Sequence, residues 1–123
     1  MRDLMFRGKD IRHGRWIVSD SIRQEDGKVY LYDEIKDIDV EVDAATVGEY
    51  TGMVDKNGVN IFEGDIIRCT YEVAGVDFEK MGLFTVVFTD GWFMKRKGGI
   101  LHYFVPSDAR AIVGNIFDDG YLL

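Results

Sequence analysis

Two histidines, His13 and His102, are the whole imidazole supply of this chain, and imidazole is the commonest general base at neutral pH and a frequent metal ligand. His13 lies in Arg12-His13-Gly14, a turn sequence. His102 lies in Ile100-Leu101-His102-Tyr103-Phe104, where alternation predicts a strand and a packed or rim histidine. No H-x-x-x-H or H-x-H spacing sets two imidazoles on one metal. Ser19, Ser21 and Ser107 lack the G-x-S-x-G elbow that exposes a nucleophilic hydroxyl. Cys69 is the single cysteine, so neither an intrachain disulfide nor a thiolate cluster can form, and its apolar run from Ile66 to Tyr71 reads it as a small core hydrophobe. Asp55-Lys56-Asn57-Gly58 has the look of a calcium loop but lacks the remaining ligand positions and the distal Glu, so it reads as a turn. Arg7-Gly8-Lys9 is a basic turn in the absence of any G-x-x-x-x-G-K-[ST] phosphate loop.

Carboxylates are more abundant. Asp37, Asp39 and Glu41 alternate along one run, with Asp33 and Glu34 just before it. Carboxylates bind Mg²⁺ or share a proton only where they converge in a cleft; on an alternating strand they keep sheet edges from pairing. The residues therefore assign no catalytic group, no metal ligand and no cofactor, and the expectation is a protein that is not an enzyme. One patch has binding chemistry. Trp92-Phe93-Met94-Lys95-Arg96-Lys97 interleaves aromatics with three cations, a composition that small barrels use to hold peptides or nucleic acid. On a strand, Trp92, Met94 and Arg96 share one face. The ordinary reading has the apolar members closing the core and the cations on the rim; the functional reading makes Trp92, Lys95, Arg96 and Lys97 the binding residues.

These residues need elements to hold them. Arg15 to Ser19 and Ser21-Ile22 read as extended, and Asp26-Gly27 ahead of Lys28 to Tyr32 is a hairpin signal. Ile38-Asp39-Val40-Glu41-Val42 alternates with period two, placing its aliphatics on one face and its carboxylates on the other. Asp43 is placed to cap a single helical turn over 44–47. From Gly64 a rhythm of five strands follows: Ile66 to Tyr71, then a loop over 72–82, Leu83 to Thr89, Trp92 to Arg96, Ile100 to Val105, and Ala111 to Phe117, with turns at Asp90-Gly91, Gly98-Gly99 and Pro106 to Asp108. The fold class expected is mainly β: an N-terminal β-meander packed on a C-terminal SH3-like small barrel. The 123 residues fit one domain, with a possible sub-division into 1–47 and 48–123.

Composition sets the bounds. Apolar residues make up 46% of the chain, with 8 Phe, 6 Tyr and 2 Trp, which supports a packed core rather than disorder. The net charge is −7, unevenly spread. Residues 1–16 carry five bases against two acids, residues 17–65 four against thirteen, and the remainder six against seven. An acidic middle disfavours broad nucleic-acid binding, whereas opposite charge in two parts of one chain can steer copies together. The N-terminus has no apolar leader-like core and no run reaches the roughly 20 apolar residues of a membrane span, so no membrane is expected and the cytoplasm is the expected compartment.

Three passages carry a resemblance. Met1 to Lys9 with Gly14-Arg15-Trp16-Ile17, the run VGEYTGMVDKNGVNIFEGDIIR from Val47 to Arg68, and Val113-Gly114-Asn115-Ile116-Phe117 through Leu123 together resemble the YopX family. These are small proteins carried mainly by bacteriophages and prophages. The central run is the specific part, since its glycines, Tyr50, turn and Gly64-Asp65 fall in a fixed order. The resemblance implies a phage or prophage protein in a bacterial host cell, of no established activity. The expectation from residues and resemblance together is a protein-interaction module, most of all a self-associating homo-oligomer, with a nucleic-acid-binding module as the alternative. In structural terms, Gly48, Gly52, Gly58 and Gly64 are read as corners, Tyr50 and Phe62 as cover, and Asp65 as an acceptor for backbone amides at a strand entrance.

Overall fold

The computed structural model describes residues 4–69, 82–96 and 98–123. Residues 70–81, which hold Thr70, Tyr71 and most of the loop expected over 72–82, and Lys97 lie outside the described residues. The protein is mainly β, and no α-helix occurs among the described residues. The chain divides into two compact units, Met1–Tyr50 and Thr51–Leu123.

The first unit contains β1 (Phe6–Lys9), β2 (Trp16–Ser19), β3 (Ile22–Glu25), β4 (Lys28–Asp33), β5 (Ile38–Val42) and the opening residues of β6 (Gly48–Val54). Strands β3, β4 and β5 form an antiparallel meander. Its first hairpin turns on Asp26 and Gly27, both at positive φ (51° and 77°), the geometry that makes a two-residue turn match strand twist. Strand β1 sits between β2 and the start of β6, with Arg7 opposite both Val18 and Gly48. Gly8, expected in a turn, is a strand residue instead: a Cβ there would lie 3.0 Å from Val42 Cγ2 and 3.3 Å from Val47 Cγ2. The missing side chain lets backbone and aliphatics approach each other. Val29, Leu31 and Val42 form the buried cluster of this unit, with Phe6, Ile17, Ile22 and Val47 packed on it. A 3-10 turn over Ala44–Thr46 leads out of β5, with Asp43 accepting from the Ala45 N–H at 3.0 Å.

The second unit contains the remainder of β6, β7 (Asn60–Phe62), β8 (Asp65–Cys69), β9 (Leu83–Phe88), β10 (Trp92–Arg96), β11 (Leu101–His102) and β12 (Arg110–Asn115). Thr51 ties the first two, its hydroxyl donating to Ile61 O at 2.8 Å. The last five strands form one curled antiparallel sheet of order β11-β10-β9-β8-β12. The final strand therefore returns beside the first, an arrangement consistent with the small barrel expected. Ile67, Cys69, Phe84, Val86 and Met94 all lie at 0% exposure on its inner face. A bulge at Val113 lets Gly114 follow Ile112 against consecutive residues of β8.

Two aspartates pin this unit. Asp65, 2% exposed, accepts from the Phe62 N–H at 2.8 Å, as expected of a carboxylate at a strand entrance. Asp55, 4% exposed, accepts from the N–H groups of Asn57 (2.9 Å), Val59 (3.0 Å) and Ile112 (3.2 Å). The first two bonds close the Asp55–Gly58 turn and the third fastens that turn to β12.

Candidate functional site

The chemistry-bearing residues singled out above mostly serve the scaffold. The Arg12 N–H, 2.6 Å from Asp10 Oδ1, holds the Asp10 carboxyl below its ordinary value, and the His13 N–H adds a second bond at 3.2 Å. His13 thus belongs to a turn built on its backbone. His102 projects to the inner face of the second unit, its ring edge-on to Phe84 at 5.6 Å. The Cys69 thiol is pushed up to about 11 by burial, so little thiolate exists at neutral pH. Ser19 Oγ accepts from the Ser21 N–H at 3.0 Å and closes a bend, and Ser107 opens a 3-10 turn. The acidic run is likewise engaged: Asp39 accepts from Arg23 at 3.3 Å, Tyr32 donates its hydroxyl to Asp37, and Asp33 accepts from the N–H groups of Ile35 and Lys36. Among the described residues no three His, Cys, Asp or Glu side chains gather as a metal cluster.

The aromatic and basic strand is β10. Register settles its faces: Trp92, Met94 and Arg96 oppose Phe88, Val86 and Phe84, and this face is the inner one. Met94 is fully buried, and Trp92 packs against the core cluster and stacks edge-on to Phe88 at 5.0 Å. Arg96 is half-buried on that face, whereas Lys95 is exposed on the opposite one. The proposed quartet is therefore divided between two faces, with Lys97 outside the described residues. What the outer face carries with Lys95 is Phe93, whose ring meets Tyr103 at 5.6 Å and 40°. Phe93 belongs to the aromatic and basic patch of the sequence but not to its named binding residues, and Tyr103 to neither. The period-two alternation that groups Trp92 with Met94 also groups Phe93 with Lys95, and that was the available signal.

A second surface lies in the first unit. A groove of about 1000 Å³ runs along β2 and ends under the turn joining β4 to β5. Its apolar walls come from Leu4, Met5, Trp16, Ile17, Val18 and Ile35. Arg15 and Lys36 bring positive charge to its rim, and Asp20, Asp33 and Glu34 bring negative charge. Asp33 explains the shape of the turn: by accepting from the two following amides it folds 33–37 tightly, with Asp37 at φ 55°. Ile35 consequently stands out from the body of the unit at 96% exposure. Trp16 is fixed from its other side, with Arg7 Cζ 4.7 Å and Lys9 Nζ 5.5 Å from its ring centroid.

Fold and surfaces define a small all-β protein of two compact units, one carrying an apolar groove with mixed charge at its rim. The chain belongs to the YopX family: the family's sequence model, described as YopX protein, matches residues 5–123. The solved structure of protein EF1440 from Enterococcus faecalis is similar over 98% of this chain and 97% of that one, with a TM-score of 0.55 at 18% identity. At that identity the likeness concerns the fold alone. No curated protein matches the chain. No helix among the described residues is long and apolar enough to cross a membrane.

Proposed function

We propose that this YopX-family protein is a non-enzymatic protein-interaction module that associates with copies of itself through its first unit. The observation that carries the reading is Ile35, a large aliphatic side chain held at 96% exposure at the mouth of an apolar groove. A rigid turn that displays an isoleucine to water forgoes the burial its side chain would otherwise contribute, about 1.5–3 kcal/mol. Burial in a partner restores that contribution.

A second copy fits the groove better than an unlike partner does. In a two-fold contact each patch meets itself, so the patch has to be self-complementary. This one carries an apolar projection beside an apolar recess, and cations (Arg15, Lys36) beside anions (Asp20, Asp33, Glu34). Glu34 and Lys36 flank Ile35, so inserting Ile35 into a partner's groove brings both charge signs to the partner's rim. Sedimentation velocity at micromolar to 100 µM concentrations tests the reading, with about that range chosen to capture modest affinities. The expected result is a species larger than the monomer that Ile35→Asp converts to monomer without changing the melting curve. A wild-type chain that sediments as a monomer throughout at every salt concentration sinks the proposal.

A further inference from the structure

The outer face of the curled sheet in the second unit has a composition at odds with the rest of the chain. The net charge is −7 with 22 acidic residues. Yet the strand register turns Arg68 of β8, Leu83, Thr85 and Val87 of β9, and Phe93 and Lys95 of β10 to this face, followed by Leu101 and Tyr103, whereas Ile66 on the same side is fully covered. None of these described positions is a carboxylate, and two are cations. Two cations without an acid leave this described part of the face positive.

The rings are disposed for stacking. Tyr103 is 82% exposed although it is aromatic, and it is braced from one side by Phe93 at 5.6 Å. Val87, half-buried, and Leu101, 40% exposed, supply an apolar floor on the neighbouring strands. Lys95 follows Phe93 by two residues on the same face, a separation of roughly 7 Å along a strand. Arg68 lies two strands across from Lys95 and two residues along, because Lys95 is level with Thr85 and Ile66, which sets the two cations roughly 12 Å apart. A ring for a base, a cation one step along for its phosphate and a second cation beyond it form the repeating requirement of a single-stranded nucleic acid.

We infer that the outer sheet face built from Tyr103, Phe93, Lys95 and Arg68 binds single-stranded nucleic acid, through base stacking on Tyr103 and phosphate contacts to the two cations. This assigns the binding to a different face from the one that Trp92 and Arg96 occupy, and it is independent of the groove and of self-association. The acidic remainder of the chain limits binding to this face, because duplex or extended contacts would bring phosphates against carboxylates. A sequence-tolerant contact follows, since every base has a ring face to stack.

Fluorescence anisotropy with labelled 12-mers of oligo-dT and oligo-U tests the site at about 50 mM salt. Wild-type protein is expected to bind at least one of them, with affinity falling as salt rises. Tyr103→Ala is expected to weaken binding at least about fivefold, Tyr103→Phe to preserve it, and Lys95→Glu to weaken it further. Arg68→Ala is expected to lower the salt slope by about one counterion. Tyr103 and Lys95 are exposed, so their variants keep the wild-type melting curve, which is measured alongside. Ile35→Asp is expected to leave binding unchanged, which separates this site from the groove. The inference is overturned by no anisotropy change up to about 100 µM protein, by binding indifferent to both Tyr103→Ala and Lys95→Glu, or by a poly-glutamate peptide that displaces the oligonucleotide at equal charge.

Discussion

Replacing Asp55 by Asn leaves the shape of the second unit's first turn intact and removes its charge. In the wild-type chain Oδ1 accepts from Asn57 and Val59, and Oδ2 accepts from Ile112. An amide retains the first two bonds as neutral ones and presents an NH₂ group to the Ile112 N–H, donor against donor. Hydrogen bonds to a charged acceptor are worth about 1.5–3 kcal/mol each, neutral ones about 1 kcal/mol, and a buried donor left without a partner costs a further 1–3 kcal/mol. Since such terms overlap, the expected loss is about 3 kcal/mol, a large share of the 5–15 kcal/mol typical of a domain. Arg110 does not collapse with it, because its Nε and Nη1 donate to the carbonyls of Val54 (2.8 Å) and Val105 (2.7 Å). The pH dependence supplies the decisive control. Burial raises the Asp55 carboxyl, but the amides of Val59, Ile112 and Asn57 and the Arg110 charge outweigh it and hold the group below its usual value. A depressed folded-state value means stability that is complete above the unfolded pKa of about 3.9 and lost as pH falls through the folded value. Urea denaturation at neutral pH and at a series of acid pH values measures both effects. Asp55→Asn should be weaker at neutrality, and the gap should narrow in acid. A variant within about 0.5 kcal/mol of wild type at neutrality, or a gap that holds constant with pH, refutes the reasoning.

Cys69 should resist alkylation at pH 8 in the native protein and react fully in denaturant, since burial both covers the sulfur and keeps it protonated; stoichiometric native labelling within minutes, followed by mass spectrometry, contradicts that placement. Gly64→Ala should destabilise by about 1–3 kcal/mol in thermal or chemical unfolding, because the residue sits at φ 89° and an added Cβ would come 3.2 Å from Phe117 Cε2. An unchanged midpoint would show that the corner relaxes.

Much of the architecture was legible because its determinants are local. The Asp26-Gly27 pair fixes a two-residue turn whatever surrounds it, and β4, β5 and β10 follow from their alternating or β-branched runs. The cap of Asp43 on the 44–46 turn was equally visible. What escaped was strand built from glycine. Arg7-Gly8-Lys9 reads as a turn because Gly8 has no side chain to register on a face, yet Val42 and Val47 lie close above it in a β-strand. The stretch from Gly48 to Val54 reads as a series of corners and folds as one strand, with Gly52 at φ 84° within it. Propensity records the residue, whereas strand pairing there comes from β1 and β7, which no local window contains. The aromatic patch was half legible for a related reason. Alternation revealed which residues share a face of β10, but the choice of inward face rested with the partners Phe88, Val86 and Phe84 across the sheet. Those partners draw Trp92 inward and turn Phe93 and Lys95 out.

The distribution of aspartates joins the fold to the question of activity. Asp10, Asp33, Asp43, Asp55, Asp65 and Asp119 each accept at least one backbone N–H at a turn or strand entrance. In Asp10 and Asp55 such bonds hold the carboxyl below its ordinary value, which opposes the raised pKa that a general acid requires. Six of the 22 acidic residues thus serve loop construction, turn by turn. Among the exposed apolar groups, Ile35 in one unit lines a groove and Tyr103 in the other stands beside a second aromatic ring. Each stands exposed to water at 96% and 82% respectively, and each is supported from beneath, Ile35 by the Asp33 turn and Tyr103 by Phe93. Supported, exposed apolar groups are what binding surfaces are made of. Since the two side chains sit in separate units and rely on separate supports, Ile35→Asp and Tyr103→Ala should act independently, one on assembly and the other on ligand binding. Their combination should add without coupling, and a measurable coupling between them would mean that assembly builds the binding face.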